Sequence, residues 1–469
     1  MIKAATEEIC YVYDALHAEL EYDILGAADQ RFASDSCRFL SPAGDDHADG
    51  CTPQTAWKSC SRLERENLPA GSVVRFARGG TFRGGFRARE GITYAAYGNG
   101  PKPRIIGSPY DGAKTGDWIE VYPNVYQYSL KLHEDCGLLV FDDGKQHARK
   151  ITLHYGKRPV VDYITGKFFE GSRSLEEDLT FWHDLGGAET RSGVDGYLYL
   201  CSTKGNPAER FHEIEFLVRR NIITVCGNNV RIENLLLQYG GAHGIGGGTT
   251  KNLTVSNCIF QWIGGSVQYY ANEGYPVRFG NGVELYGGCQ GYTVDHCWFH
   301  QIYDAGITFQ FSQGGREDIL MENVRFTNNL IELCTYSIEY FLGKAIDPRV
   351  TRMIRDVVIR DNLLLDAGRG FGEQRPDKGA AAHIKAWDHE NRSDGSIRIE
   401  QNLMAGSNEM MLHIGMGNTA YSPIVRGNTF MQKKGGQFAR YGEIPTQLCT
   451  YSAKNIPEAL RDNRFFASF

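Results

Sequence analysis

From residue 226 onward the chain repeats itself. The segments VRIENLLL from 230, LTVSNCIF from 253, YTVDHCWF from 292, VRFTNNLI from 324, VVIRDNLL from 357, IRIEQNLM from 397 and PIVRGNTF from 423 share one pattern: an alternating strand, a polar residue, then apolar residues again. Seven copies at unequal spacings of about 23 to 40 residues point to a solenoid, in which each copy is one coil and buries its apolar face only against its neighbours. Alignment brings Cys258, Cys297, Asn329, Asn362, Asn402 and Asn428 to equivalent places. That column reads as an internal ladder, the asparagines bonding backbone groups at a turn and the two cysteines filling buried, structural rungs.

A second strand follows in each coil: HGIGGG, NGVELYG, AGITFQF, YSIEYFL, AHIKAWD and MLHIGMG. Its apolar column is Ile245, Val283, Ile307, Ile338, Ile384 and Leu412. Side chains alternate across a strand, so the neighbouring column, Gly246, Glu284, Thr308, Glu339, Lys385 and His413, faces outward. Tyr286, Gln310, Phe341 and Trp387 form a further outward column, and insertions at 262–281, 342–356 and 368–381 emerge near these strands to wall a cleft.

The rest of the chain supplies the frame. Residues 1–36 form a helical appendage, with Ile9, Val12, Leu16 and Leu20 at roughly helical spacing over 5–30. Residues 37–469 form the solenoid, its first coils in SVVRFARGGTFRGGF and GITYAAYGNGPKPRIIGS, with a β-rich insertion over about 111–225. The 25 Tyr, 24 Phe and 55 Gly fit an all-β chain with many turns. A net charge of -6 and the lack of any Lys/Arg block exclude a nucleic-acid surface. No window approaches the ~18 apolar residues of a membrane helix, and the opening MIKAATEEICYVYDALHAEL carries acids where a signal peptide is basic, so the expected location is cytoplasmic. The twelve cysteines show no CxxC and no zinc spacing, so reduced thiols are expected. GAHGIGGGTT is a tight turn without the lysine of a phosphate loop.

These coils, with SPAGDDHADGCTPQTAWKS and the two runs above as opening turns, resemble the right-handed parallel β-helix superfamily of carbohydrate-active enzymes, the pectate-lyase-like group. The resemblance covers most of the chain and implies a right-handed parallel β-helix acting on sugars; its motifs do not select a reaction. The calcium-binding aspartate cluster of the lyases is not evident here, which argues against a calcium-dependent pectate lyase.

The outward acids carry the chemistry. With rungs ~4.8 Å apart, Glu284 and Glu339 lie about 10 Å apart before their side chains lean, and Asp304 stands at the turn into the strand between them. Glycoside hydrolysis needs two carboxyls, about 5–5.5 Å apart for retention or about 6.5–9.5 Å for inversion. Glu284, Asp304 and Glu339 are therefore the candidate acid and nucleophile-or-base set, with no cofactor required. His243, Arg278, Asn281, Gln310, Arg375, His383, Lys385 and Trp387 are the candidate substrate-binding residues. Each has a plainer reading as a turn-former, an ion-pair partner or a packed surface group. The expected function is hydrolysis of a glycosidic bond in an oligosaccharide. Two alternatives stay open: a lyase or epimerase on uronic-acid sugars with Lys385 or His383 as base, and a non-catalytic carbohydrate-binding solenoid.

Overall fold

Apolar residues two apart in each repeat come into register coil upon coil. One buried column runs from Val74 through Tyr94, Ile232, Val255, Val294, Phe326, Ile359 and Ile399 to Val425. It belongs to a ten-stranded parallel sheet stretching from Cys37–Leu40 to Ile424–Arg426, one face of a right-handed parallel β-helix. The computed structural model describes residues 2–32, 36–312, 316–343, 345–375, 381–386, 393–414, 422–433, 435–441, 444–447 and 456–468. Two further parallel ladders complete each coil. The strands Trp298–Phe311 and Leu330–Leu342 run through both, so the two ladders are joined at one corner.

The turn out of the ten-stranded sheet explains the polar residue of the repeat. Asn257, His296, Asn328, Asp361 and Gln401 all adopt positive φ there, a conformation that short polar side chains tolerate best. The residue that follows builds the ladder. Asn329, Asn362 and Asn402 are buried; each Oδ1 accepts the backbone N–H of the rung before, and each Nδ2 donates to a carbonyl of the preceding sheet strand. The ladder continues past the seven copies to Asn463, whose Oδ1 accepts from Asn428 N–H at 2.9 Å. Cys258 and Cys297 fill buried rungs at the other end.

Strand Thr93–Tyr97 pairs directly with Arg231–Glu233, so the chain between them leaves the solenoid and returns to it. Within that excursion, antiparallel strands Trp118–Tyr122, Val125–Tyr128, Thr180–Asp184 and Asp195–Cys201 form a sheet over a separate core that includes Trp118, Leu139, Phe141, Phe181 and Phe216. The N-terminal helix spans Ile2–Gly26, shorter at its C-terminus than the spacing suggests. It lies on the outside of the solenoid, Tyr13, Leu20 and Ile24 packing on Ile259, Leu330, Leu363 and Ala405. No helix among the described residues is long and apolar enough to cross a membrane.

Candidate functional site

The outward column forms as the alternation requires. Gly246, Glu284, Thr308, Glu339, Lys385 and His413 are consecutive partners in one parallel ladder, and Arg440 extends it. Glu284 and Glu339 therefore stand two rungs apart across Thr308. Both carboxylates are set deep, at 7% and 4% exposure, and the Thr308 hydroxyl between them is buried with no hydrogen-bond partner.

Asp304 arrives by a different route from the one its spacing suggests. It occupies no turn: strand Trp298–Phe311 is continuous, and its register slips so that Tyr303 and Asp304 stand opposite the single residue Thr335. Such a bulge re-aims a side chain. Here Asp304 meets Arg375, whose Nη1 donates to its Oδ1 at 2.5 Å.

Asn281 ties three coils together. Its Oδ1 accepts the N–H of Ala305 at 2.7 Å, which fixes the amide orientation, and its Nδ2 then donates to Glu284 Oε2. Its own N–H donates to His243 Nδ1 at 3.1 Å, so the proton of the neutral imidazole sits on Nε2. His243 Nδ1 is also 3.3 Å from Glu284 Oε2, and the ring packs edge-on against Phe279. Asn281 is thus a residue that orients Glu284, with every polar atom but its backbone carbonyl used for that purpose, rather than a free partner for a sugar hydroxyl.

Cations and tyrosines alternate beside the acids. The Arg278 guanidinium lies 4.5 Å from the Tyr303 ring centre, Arg375 lies 5.6 and 5.5 Å from Tyr303 and Tyr336, and Lys385 Nζ lies 3.8 Å from Tyr336. Lys385 Nζ is also 3.8 Å from Glu339 Oε1. Arg278 is held by the carbonyls of Gly265 and Gly137, the latter in the insertion, while its buried Nη1 has no hydrogen-bond partner. Tyr303 and Tyr336 were not singled out from sequence, although each stands within three residues of a candidate acid.

His383 does not reach the cleft. It is fully buried where the two ladders meet, with Nδ1 beside Ser337 Oγ at 2.9 Å and Nε2 beside the Ala405 carbonyl at 3.2 Å. Burial pushes its pKa down to about 4, so the ring is neutral and its nitrogens are occupied within the protein. Gln310 is half-buried two residues beyond Thr308, and Trp387 lies outside the described residues. Among the described residues no group of three or more His, Cys, Asp or Glu converges as a metal site. Cavities of about 340 and 330 Å³ lie elsewhere, under the N-terminal helix near Tyr13 and Arg369 and in the insertion near Phe168. Neither stacks acids in register, so chemistry rather than volume selects the column.

No family model and no curated protein matches the chain. Among solved structures, XylC in complex with xylose is similar at a TM-score of 0.44 and 12% identity, over 86% of this chain and 66% of that one. The GH136 lacto-N-biosidase of Eubacterium ramulus is similar at 0.39 and 13%, over 92% of this chain and 68% of that one. A Family 28 exopolygalacturonase of Yersinia enterocolitica is similar at 0.33 and 12%, over 92% and 77%. The chain spans about two thirds of the length of the first two.

Proposed function

We propose that the protein hydrolyses a glycosidic bond in an oligosaccharide with Glu284 and Glu339 as the acting carboxyl pair. The observation that carries the reading is their register: two outward glutamates in one column, separated by a single small hydroxyl residue. Two rungs amount to about 9.6 Å at the backbone, the upper end of the carboxyl separation that leaves room for an attacking water, so the expected outcome is inversion. Lys385 beside Glu339 favours a charged carboxylate there, suited to a base. Asp304 is engaged by Arg375, which leaves Glu284 the proton-donor role in this reading. The Thr308 hydroxyl lies between the two, buried and without a hydrogen-bond partner.

A second reading draws support from the row of Arg278, Arg375 and Lys385. Such charges neutralise a sugar carboxylate, as elimination or epimerisation at a uronic acid requires; Lys385, the base of that reading, is as fully buried as His383.

The products separate the readings. A panel of neutral and uronic-acid oligosaccharides is incubated with the protein and assayed for new reducing ends and for ultraviolet absorbance of unsaturated sugar. The hydrolase reading expects reducing ends without absorbance, and a loss of about 10²–10⁴-fold in turnover for both Glu284→Gln and Glu339→Gln with folding intact. Unchanged turnover in either variant ends it; unsaturated product transfers the case to the lyase; binding without product leaves a carbohydrate-binding solenoid.

A further inference from the structure

Beside the acid column runs a second outward column that the chemistry above does not use. Tyr286 pairs with Gln310 and Gln310 with Phe341, on the same strands as Glu284, Thr308 and Glu339 and two residues further along each. Two residues of strand advance about 6.7 Å and preserve the face, so the two columns lie side by side, displaced across the sheet rather than along the solenoid axis. Their settings differ sharply. The glutamates are buried, while Tyr286 is 41% exposed and Gln310 and Phe341 are partly buried. Tyr286 leans on the Phe311 ring at 5.3 Å, and the Arg352 guanidinium covers Phe311 at 5.0 Å while donating to the carbonyls of Ser312 and Gly343. That packing fixes the platform from behind.

We propose that Tyr286, Gln310 and Phe341 form a second sugar subsite, one ring removed from the bond that Glu284 and Glu339 act on. The ligand is then an oligosaccharide of at least two rings whose chain crosses the coils instead of following the axis. Aromatic faces take the C–H face of a pyranose ring, and an amide between them offers one acceptor and two donors to ring hydroxyls. No charged side chain belongs to the column, so the ring seated on it is uncharged. The inference rests on the reading of Glu284 and Glu339 as the acting pair.

The test measures binding separately from turnover. Glu339→Gln, which holds ligand uncleaved, and Glu339→Gln with Tyr286→Ala are titrated calorimetrically with neutral disaccharides and trisaccharides and with the matching methyl monosaccharides. The expected result is roughly tenfold weaker binding of the longer glycans on loss of Tyr286, no change for the monosaccharides, and recovery with Tyr286→Phe, which keeps the ring face. Equal affinity for the longer glycans with and without the Tyr286 ring overturns the subsite, as does failure of Glu339→Gln to bind any of them. If Tyr286 governs binding but the wild-type chain releases no reducing ends, the subsite stands and the hydrolase reading falls.

Discussion

The insertion and the site share one buried ion pair, and removing its cation tests how firmly they are joined. Lys150 Nζ stands 2.5 Å from both oxygens of Asp135, and the two residues are 2% and 0% exposed. Asp135 Oδ2 also accepts the N–H of Val267 at 2.7 Å, and its carbonyl accepts from Ser266 Oγ. The pair thereby clamps strand Ser266–Tyr270, whose hairpin partner Pro276–Phe279 carries Arg278. On its other side, Lys150 N–H donates to Gln374 Oε1, and Gln374 precedes the Arg375 that grips Asp304. Lys150→Met leaves a buried carboxylate with one hydrogen bond, at a cost of about 3–5 kcal/mol. Removing Asp135 as well deletes that stranded charge and leaves only the Val267 N–H unsatisfied, about 1–3 kcal/mol. The double variant is therefore expected to be more stable than the single by about 2 kcal/mol in urea denaturation. Hydrogen exchange over residues 264–280 reports the same loss locally, ~10²-fold faster in Lys150→Met for about 3 kcal/mol of lost protection. Equal stability of the single and double variants, or unchanged exchange in the hairpin, would refute the clamp.

Two shorter predictions follow from the same kind of accounting. Thr308→Val replaces a buried, unpartnered hydroxyl with a methyl group, so thermal stability is expected to hold or rise by up to about 1 kcal/mol while turnover falls; lost stability with retained turnover would remove Thr308 from the site. The N-terminal helix docks through His17, whose Nε2 is 3.3 Å from Glu332 Oε2, with Glu21 and Asp14 on its own helix and His300 beyond Glu332 also facing it. The hydrogen bond to Glu332 raises His17 above its ordinary 6.5 despite burial, so its contribution is complete below that value and fades as pH climbs through the raised pKa. Burial works against the charge on Glu332, but the bond from His17 and its other neighbours hold it below its ordinary 4.5, so its share is lost as pH falls through that lower value. Helix protection in hydrogen exchange should therefore be greatest between the two, by under about 1 kcal/mol, and His17→Ala should flatten the profile; an unaltered profile in that variant would exclude the latch.

What the sequence disclosed and what it hid divide along physical lines. Columns governed by strand alternation were readable, because a period of two and a recurring Asn or Cys set the register from Cys258 to Asn428. The final rung at Asn463 carries the same signal, since RDNRFF repeats the RDNLLL of 360–365. Leu363 and Leu364 lie one on each face of a strand, and the N-terminal helix covers the outer face, which was not singled out from the repeat pattern. The bulge at Asp304 was hidden, because one extra residue in a strand leaves no mark on an otherwise regular pattern. His383 keeps the outward parity of Lys385 and Ser337, yet the corner between the ladders closes over it, and parity does not encode corners. The hold on Arg278 from Gly137 spans 141 residues and arises only from the insertion's tertiary placement.

The column itself argues against a purely structural origin. Charges stacked on adjacent strands stabilise a sheet when opposite signs face each other and destabilise it when like signs do. A ladder selected for stability would alternate sign at every rung. Here the two glutamates lie on one side of Lys385, and His413 and Arg440 on the other, so acids gather toward one end and bases toward the other. Glu284 has glycine and threonine as its rung neighbours and is held by the Asn281 amide instead of a cation. Burying a carboxylate in that way costs stability that an apolar residue would not. A carboxylate buried opposite an unpartnered hydroxyl is what the proposed acting pair requires and what packing alone would not select.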